Sequence, residues 1–245
     1  MTPQPRSWAI ARHRLRLDTA AVVVLWIPFT LVVAAIYVLV GLYGNLSTSV
    51  WEQASQAPRW FAGGLGVYLT AVYLPLYITH GQTRRQFATQ MPAFVVVLAA
   101  LLAALITIGF AVESVVYDLG GWPQALERTH LFGSVDQYPV VLLEFWLVFM
   151  VWIAAGALVG AAFYRRPGLG LLLVPVVLAI VAAAELAVGT AFFGPFPEPL
   201  LTAAGVGLEA RPIPVAVITC FTLAVVTAGL TWLVIRDLPI RSQAA

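Results

Sequence analysis

Residues 93–112 read AFVVVLAALLAALITIGFAV, between Pro92 and Glu113. A stretch of about 20 residues without a charge is long enough, as an α-helix, to cross the roughly 30 Å hydrocarbon core of a bilayer. The run does not alternate apolar with polar positions, as a strand of a membrane barrel would. It is apolar on every face, which suits a helix surrounded by lipid or by other helices. Working outward from it, the same reading gives six spans, at about 19–43, 59–79, 91–114, 138–163, 169–192 and 213–235.

The composition of the 245-residue chain agrees. Hydrophobic residues make up 61% and charged residues 10%, and the mean hydropathy is +0.93. Soluble domains hold roughly 45–50% apolar and about 25% charged residues. A chain this apolar cannot cover itself with polar groups in water, so a soluble enzyme and a disordered chain are both excluded. The expected fold is an all-α membrane protein, one transmembrane domain over residues 1–245. The first apolar run, from about Thr19 to Tyr43, exceeds the roughly 7–15 residues of a signal-peptide core and is read as retained.

The 13 basic residues are all arginine. Arg6, Arg12, Arg14, Arg16, Arg84, Arg85, Arg165, Arg166, Arg236 and Arg241 fall on one side of the six spans; Arg59, Arg128 and Arg211 fall on the other. The positive-inside rule places both termini in the cytoplasm. Glu52, Asp118, Glu127, Asp136, Glu198 and Glu209 then lie in outside segments. A net charge of +2 is too small for a nucleic-acid partner. The single cysteine, Cys220, excludes a disulfide framework and a multi-cysteine metal site. The lysine-free, Ala/Val/Leu-rich usage points to a bacterial source.

Three features have the makings of chemistry. The lead-in carries Trp8, Ala11 and Leu15 at helical spacing, with Arg12 and Arg16 on another side and Arg14 between. It reads as an interfacial amphipathic helix beside anionic lipid, or simply as a basic topology signal. After span 2 comes Gly81-Gln82-Thr83-Arg84-Arg85-Gln86-Phe87. Here Gly81 can break the outgoing helix, Thr83 can cap a short helical turn, two arginines project into the cytoplasm, and Phe87 can anchor the turn. This suits docking of a soluble partner, although the positive-inside rule alone accounts for the charge. Finally, Glu113, Glu144 and Glu185 lie in or near the spans. Glu144 and Glu185 sit roughly 10 Å below the outer surface at 1.5 Å per residue. A carboxylate at that depth faces the bundle interior, water or a partner. It could serve a cationic or polar substrate or a proton relay, or form a structural pair with Arg128, Arg211 or a backbone group.

Six spans with both ends inside, a basic lead-in and the Gly81-x-Thr83-Arg84-Arg85-x-Phe87 turn resemble the ATP-binding-cassette type-2 export permeases. The resemblance covers the whole chain as architecture. It implies that the turn after span 2 is a coupling helix seated in a groove of an ATPase subunit and that the lead-in is interfacial. It also implies that the segment between spans 5 and 6, from Phe192 to Pro212, re-enters the outer leaflet. It further implies a partner ATPase that holds ATP and magnesium, a second permease copy, and outward transport across the bacterial cytoplasmic membrane. No Gly-x-x-x-x-Gly-Lys-Ser/Thr loop occurs here, so this chain holds no cofactor or catalytic site of its own for ATP. A sparsely charged pathway suits an amphipathic or hydrophobic cargo.

Rival classes leave weaker traces. No His-Glu-x-x-His or Gly-x-Ser-x-Gly motif marks a membrane protease, and no carbonyl-filter sequence marks a channel. A proton-coupled secondary transporter using Glu144 and Glu185 is the main alternative, and a non-transporting structural or sensory protein the bland one. Gly63, Gly64 and Gly66 in span 2 and Gly156 and Gly160 in span 4 are expected to let helices approach closely. Trp51, Trp60 and Trp122 are expected in the outer aromatic belt.

Overall fold

The computed structural model describes residues 6–43, 47–190 and 211–237, with residues 6–18, Ala21 and Tyr43 as backbone only. The described chain is helical: α1 (Arg6–Tyr43), α2 (Val50–Ala54), α3 (Gln56–Tyr68), a π-helical turn (Leu69–Tyr73), α4 (Leu74–Thr79), α5 (Arg84–Gly120), α6 (Tyr138–Arg165), α7 (Pro167–Val188) and α8 (Ile213–Ile235). No strand occurs among the described residues, only an isolated bridge between Thr48 and Ala125. Six helical stretches are long and apolar enough to cross a membrane: Val22–Leu42, Val50–Thr79, Arg84–Gly120, Tyr138–Arg165, Pro167–Val188 and Ile213–Ile235.

Helix α6 is the axis. It is apolar all round, and most of it is buried against α3, α5, α7 and α8. The outward surface is apolar as well, with Val24, Leu42, Leu119, Leu171 and Val225 all largely exposed. An apolar patch this extensive is foreign to a water-facing monomer and normal for one that faces lipid.

The closest helix–helix contact is between α3 and α6, and glycine makes it. A Cβ on Gly66 would lie 2.0 Å from the Ile153 carbonyl oxygen, and one on Gly156 would lie 1.9 Å from that of Gly63. Gly160 fits against Val67 and Thr70 in the same way. Thr70 donates its hydroxyl to the Ala157 carbonyl at 2.8 Å, a cross-helix bond that the close approach permits. Gly64 meets nothing and plays no part in this contact.

Several boundaries depart from the expected ones. Span 2 begins at Val50 rather than near residue 59, because Ser49 caps α2 by accepting the Glu52 amide at 3.0 Å. Its last part passes through the π-helical turn directly before Pro75. Proline has no amide hydrogen and clashes with the carbonyl four residues earlier, and the wider turn accommodates this. The lead-in with Trp8, Arg12, Arg14 and Arg16 is not a separate element. No glycine or proline interrupts Arg6–Ile27, so it continues unbroken into the first span. Span 5 ends at Val188, where Gly189 takes φ +92°. The expected re-entrant segment between spans 5 and 6 lies mostly outside the described residues.

Candidate functional site

The charged side chains of the bundle gather at its two ends. At one end are the start of α2, the α5–α6 connection, the end of α7 and the start of α8, with Glu52, Glu113, Glu144 and Glu185. At the other are the α4–α5 turn, the α6–α7 junction and Arg236. These are called the acidic end and the arginine end.

Glu113 is an acceptor hub at the acidic end. Its carboxylate takes hydrogen bonds from the Tyr37 hydroxyl of α1, the Ser49 hydroxyl at 2.6 Å, the Trp51 amide at 2.8 Å and the Gln124 side-chain amide at 2.7 Å. Four neutral donors around a buried carboxylate replace its water shell without a cation. They also tie α1, α2 and the 121–137 connection to α5. Trp51 is buried, with its indole N–H donating to the Ile106 carbonyl at 3.0 Å. It therefore belongs to the core and not to an aromatic belt, whereas Trp60 and Trp122 are exposed.

Next to this hub, His130 is clamped between two carboxylates. Its Nδ1 lies 2.7 Å from Glu144 Oε1 and its Nε2 lies 3.2 Å from Glu52 Oε1. Glu52 also accepts the backbone amides of Glu127 and Arg128 at 2.8 and 2.9 Å, and Glu144 accepts that of Leu131 at 2.7 Å. The ring stacks on Phe132 at 4.5 Å. Both ring nitrogens face acceptors, so the doubly protonated imidazolium is the form that satisfies every partner. Burial by itself would lower the imidazole pKa; the charge and hydrogen bond of Glu144, then those of Glu52, outweigh it and push it up to about 9. With both nitrogens committed to different carboxylates, His130 offers no lone pair to a metal.

The third cluster holds Glu185. It accepts the Trp152 indole N–H at 2.9 Å and the Thr190 hydroxyl, and it lies 3.5 Å from Arg59 Nε. Arg59 is wholly buried; it donates to Gln56 and lies 5.8 Å over the Phe145 ring. The ionic partners are thus Arg59 for Glu185 and His130 for Glu144, in place of Arg128 or Arg211, while the backbone group also expected is present for Glu144 as the Leu131 amide. Arg128 instead meets Glu52 through its backbone amide and Gln53 through its guanidinium.

The three carboxylates singled out by sequence, Glu113, Glu144 and Glu185, therefore sit in three neighbouring clusters with different donors. No single cavity exposes them together among the described pockets. The sequence reading puts Glu52 and Arg59 on the outer side and gives His130 no role. The Ser49-x-x-Glu52 pattern, a helix-start signature, was the available signal that span 2 begins early and carries both charges inward. For His130 no such signal exists.

At the arginine end, Gly81 takes φ +78°, a left-handed conformation that a side chain rarely adopts. Its amide bonds to the Ile78 carbonyl at 3.0 Å and that of Gln82 to Tyr77 at 2.9 Å, which closes α4. Thr83 and Gln86 then form a reciprocal capping box. Phe87 is buried edge-on against Tyr77 at 5.5 Å, while Arg84 is half-buried and Arg85 exposed. The Thr83 cap starts the long helix α5 directly. Arg84 to Phe87 form its first turn, so the separate coupling helix implied by the resemblance is absent. From Arg84 onward nothing stops the helix until Gly121 at φ +64°.

In comparisons with known proteins, no family model, no curated protein and no solved structure matches the chain. What the fold and the site define is a class: an all-α bundle with six helices long and apolar enough to cross a membrane, as in a multi-pass membrane protein, with its described charged groups toward the two ends.

Proposed function

We propose that this chain is the membrane-embedded permease subunit of an ATP-driven exporter in a bacterial cytoplasmic membrane. In this reading both termini and the arginine end face the cytoplasm. A separate ATPase subunit, holding ATP and magnesium, docks on the Gly81–Phe87 turn. A second permease copy completes the pathway, and the cargo is amphipathic or hydrophobic. The observation that carries the reading is the build of that turn. It is internally braced by the capping box and Phe87, yet it presents Arg85 outward, with Arg84 half-buried beside it, at the root of a 37-residue helix. A push on it travels along α5, about 44 Å from Arg84 at 1.5 Å per residue, to the Glu113 hub that holds α1 and α2. Rigid-body switching between two packed arrangements needs such a stiff element. The buried partners of Glu144 and Glu185 support a bracing role for these acids over proton coupling.

The test is affinity purification of the tagged chain from its native cells, followed by ATPase assay of the complex in lipid. A nucleotide-binding subunit is expected to co-purify. Arg84→Glu combined with Arg85→Glu is expected to abolish permease-stimulated ATP hydrolysis while membrane insertion is retained. Recovery of no such subunit, or unchanged stimulation in the double variant, overturns the proposal.

A further inference from the structure

Between α5 and α8 the bundle leaves an apolar groove of about 610 Å³, floored by Met150 and Ala154 of α6. Its ends differ. Arg85 lines one end; it is exposed, and among the described residues it has neither a hydrogen bond nor an ion pair. Trp146 bounds the opposite end. Trp146 donates its indole N–H to the Val96 carbonyl at 3.1 Å and meets the Phe221 ring edge-on at 6.0 Å; Val96 and Phe221 are themselves lining residues. From Arg85 to Val96 the helix rises about 16 Å. One leaflet of a 30 Å hydrocarbon core is roughly 15 Å deep. The groove is therefore about as long as a leaflet is deep, bounded by Trp146 toward the bilayer middle and cationic where headgroups lie.

We infer that this groove holds one acyl chain of an anionic glycerophospholipid from the leaflet at the arginine end, with its phosphate paired to Arg85. Bilayer lipid is as apolar as the groove walls, so the chain is guided by shape and gains little from burial. Selectivity comes from the headgroup. A guanidinium forms charge-assisted, paired bonds with phosphate, and Arg84, Arg165 and Arg166 at the same end reinforce the positive field. Arg236 is offset by Asp237 at 2.9 Å. A zwitterionic lipid lacks the net charge to exploit this field, and free phosphate lacks the chain that fills the groove. The inference rests on the membrane-crossing architecture; it shares Arg85 with the proposed docking turn, but it needs no ATPase partner to be present.

The experiment is native mass spectrometry of the purified full chain, incubated with equal amounts of phosphatidylglycerol and phosphatidylcholine of matched chains. The wild type is expected to retain one phosphatidylglycerol with about tenfold preference. Arg85→Gln should equalise the two lipids and Arg85→Lys should restore the preference. Ala228→Trp, which fills the groove from a half-exposed position, should strip the bound lipid; if it lacks a cooperative melting transition, Ala224→Phe takes its place. Millimolar inorganic phosphate should leave the lipid bound. Equal retention of both lipids by the wild type, unchanged retention in the groove-filling variant, or displacement by phosphate alone overturns the inference. None of these outcomes depends on ATP hydrolysis.

Discussion

The two ends of the bundle use polar residues in opposite ways. At the acidic end charges face inward: Glu52, Glu113, Glu144, Glu185, Arg59 and His130 are all buried, and each bonds across elements. At the arginine end the bonds of the α4–α5 turn are local, and one side-chain bond bridges helices, from Arg165 to the Val234 carbonyl at 3.1 Å. Thr83 and Gln86 cap their own helix and Gly81 closes α4, while Arg85 stays exposed. One end holds a brace whose buried groups answer to distant parts of the chain. The other is a stiff but loosely engaged surface on which Arg85 faces away from the rest of the described chain. A bundle built this way is expected to open more readily at the arginine end, because fewer bonds bridge its helices there.

The largest test of this contrast is Arg59→Ala. Removing the cation leaves Glu185 buried beside Trp152 and Thr190 without its ionic partner, and breaking a buried pair from one side costs about 3–5 kcal/mol. The melting temperature in detergent should fall accordingly. The paired change Arg59→Met with Glu185→Gln should recover most of the loss, since it removes both charges together. Equal destabilisation by the single and double changes would mean that Arg59 acts through packing on Phe145 alone.

A smaller effect concerns pH. The groups facing His130 are Glu52 from α2, Glu144 from α6 and the amides of its own connection; the ring rests on Phe132. Its pKa is raised from 6.5 in the unfolded chain to about 9 in the fold. A raised pKa means that the stabilisation is full below pH 6.5 and is lost as pH rises through 9. A shift of that size corresponds to about 3 kcal/mol. Thermal melts of the wild type should therefore drop between pH 6.5 and 9, and His130→Gln should flatten that part of the profile. An identical slope in the variant would assign the pH dependence to another group.

The two ends also differ in how much of them sequence could disclose. The six spans follow from composition and run length, because lipid imposes one length and one apolar requirement on each helix. The arginine turn was legible because its bonds are local: Gly81, Thr83 and Gln86 act within a few residues of one another. What failed was the idea of a short separate helix, since stopping one takes a breaker after Phe87 and α5 has none before Gly121 capable of ending it; Pro92 is absorbed within the helix. The acidic end was legible only as the presence of Glu113, Glu144 and Glu185. Their partners Tyr37, Arg59 and His130 are set by how helices pack, and His130 reaches Glu52 across 78 positions in sequence. Local patterns have no record of such a pairing. Ser49-x-x-Glu52 is the exception, a local start signal that moves the beginning of span 2 and, with it, two buried charges.

The smallest expected effect belongs to the arginine end, and it bears on whether that end is braced from within. Thr83→Ala removes the side-chain acceptor for the Gln86 amide, and loss of a helix cap costs about 1 kcal/mol. Because the bond is local, the loss should appear as faster amide hydrogen exchange over the first turn of α5, with global melting little changed. At the acidic end the same loss of a single hydroxyl, Ser49→Ala, removes both the α2 cap and a donor to Glu113. Hydrogen exchange there should rise in α1, α2 and the 121–137 connection together. If Thr83→Ala also loosened those distant elements, the ends would be mechanically coupled in the resting bundle and the division between brace and surface would fail.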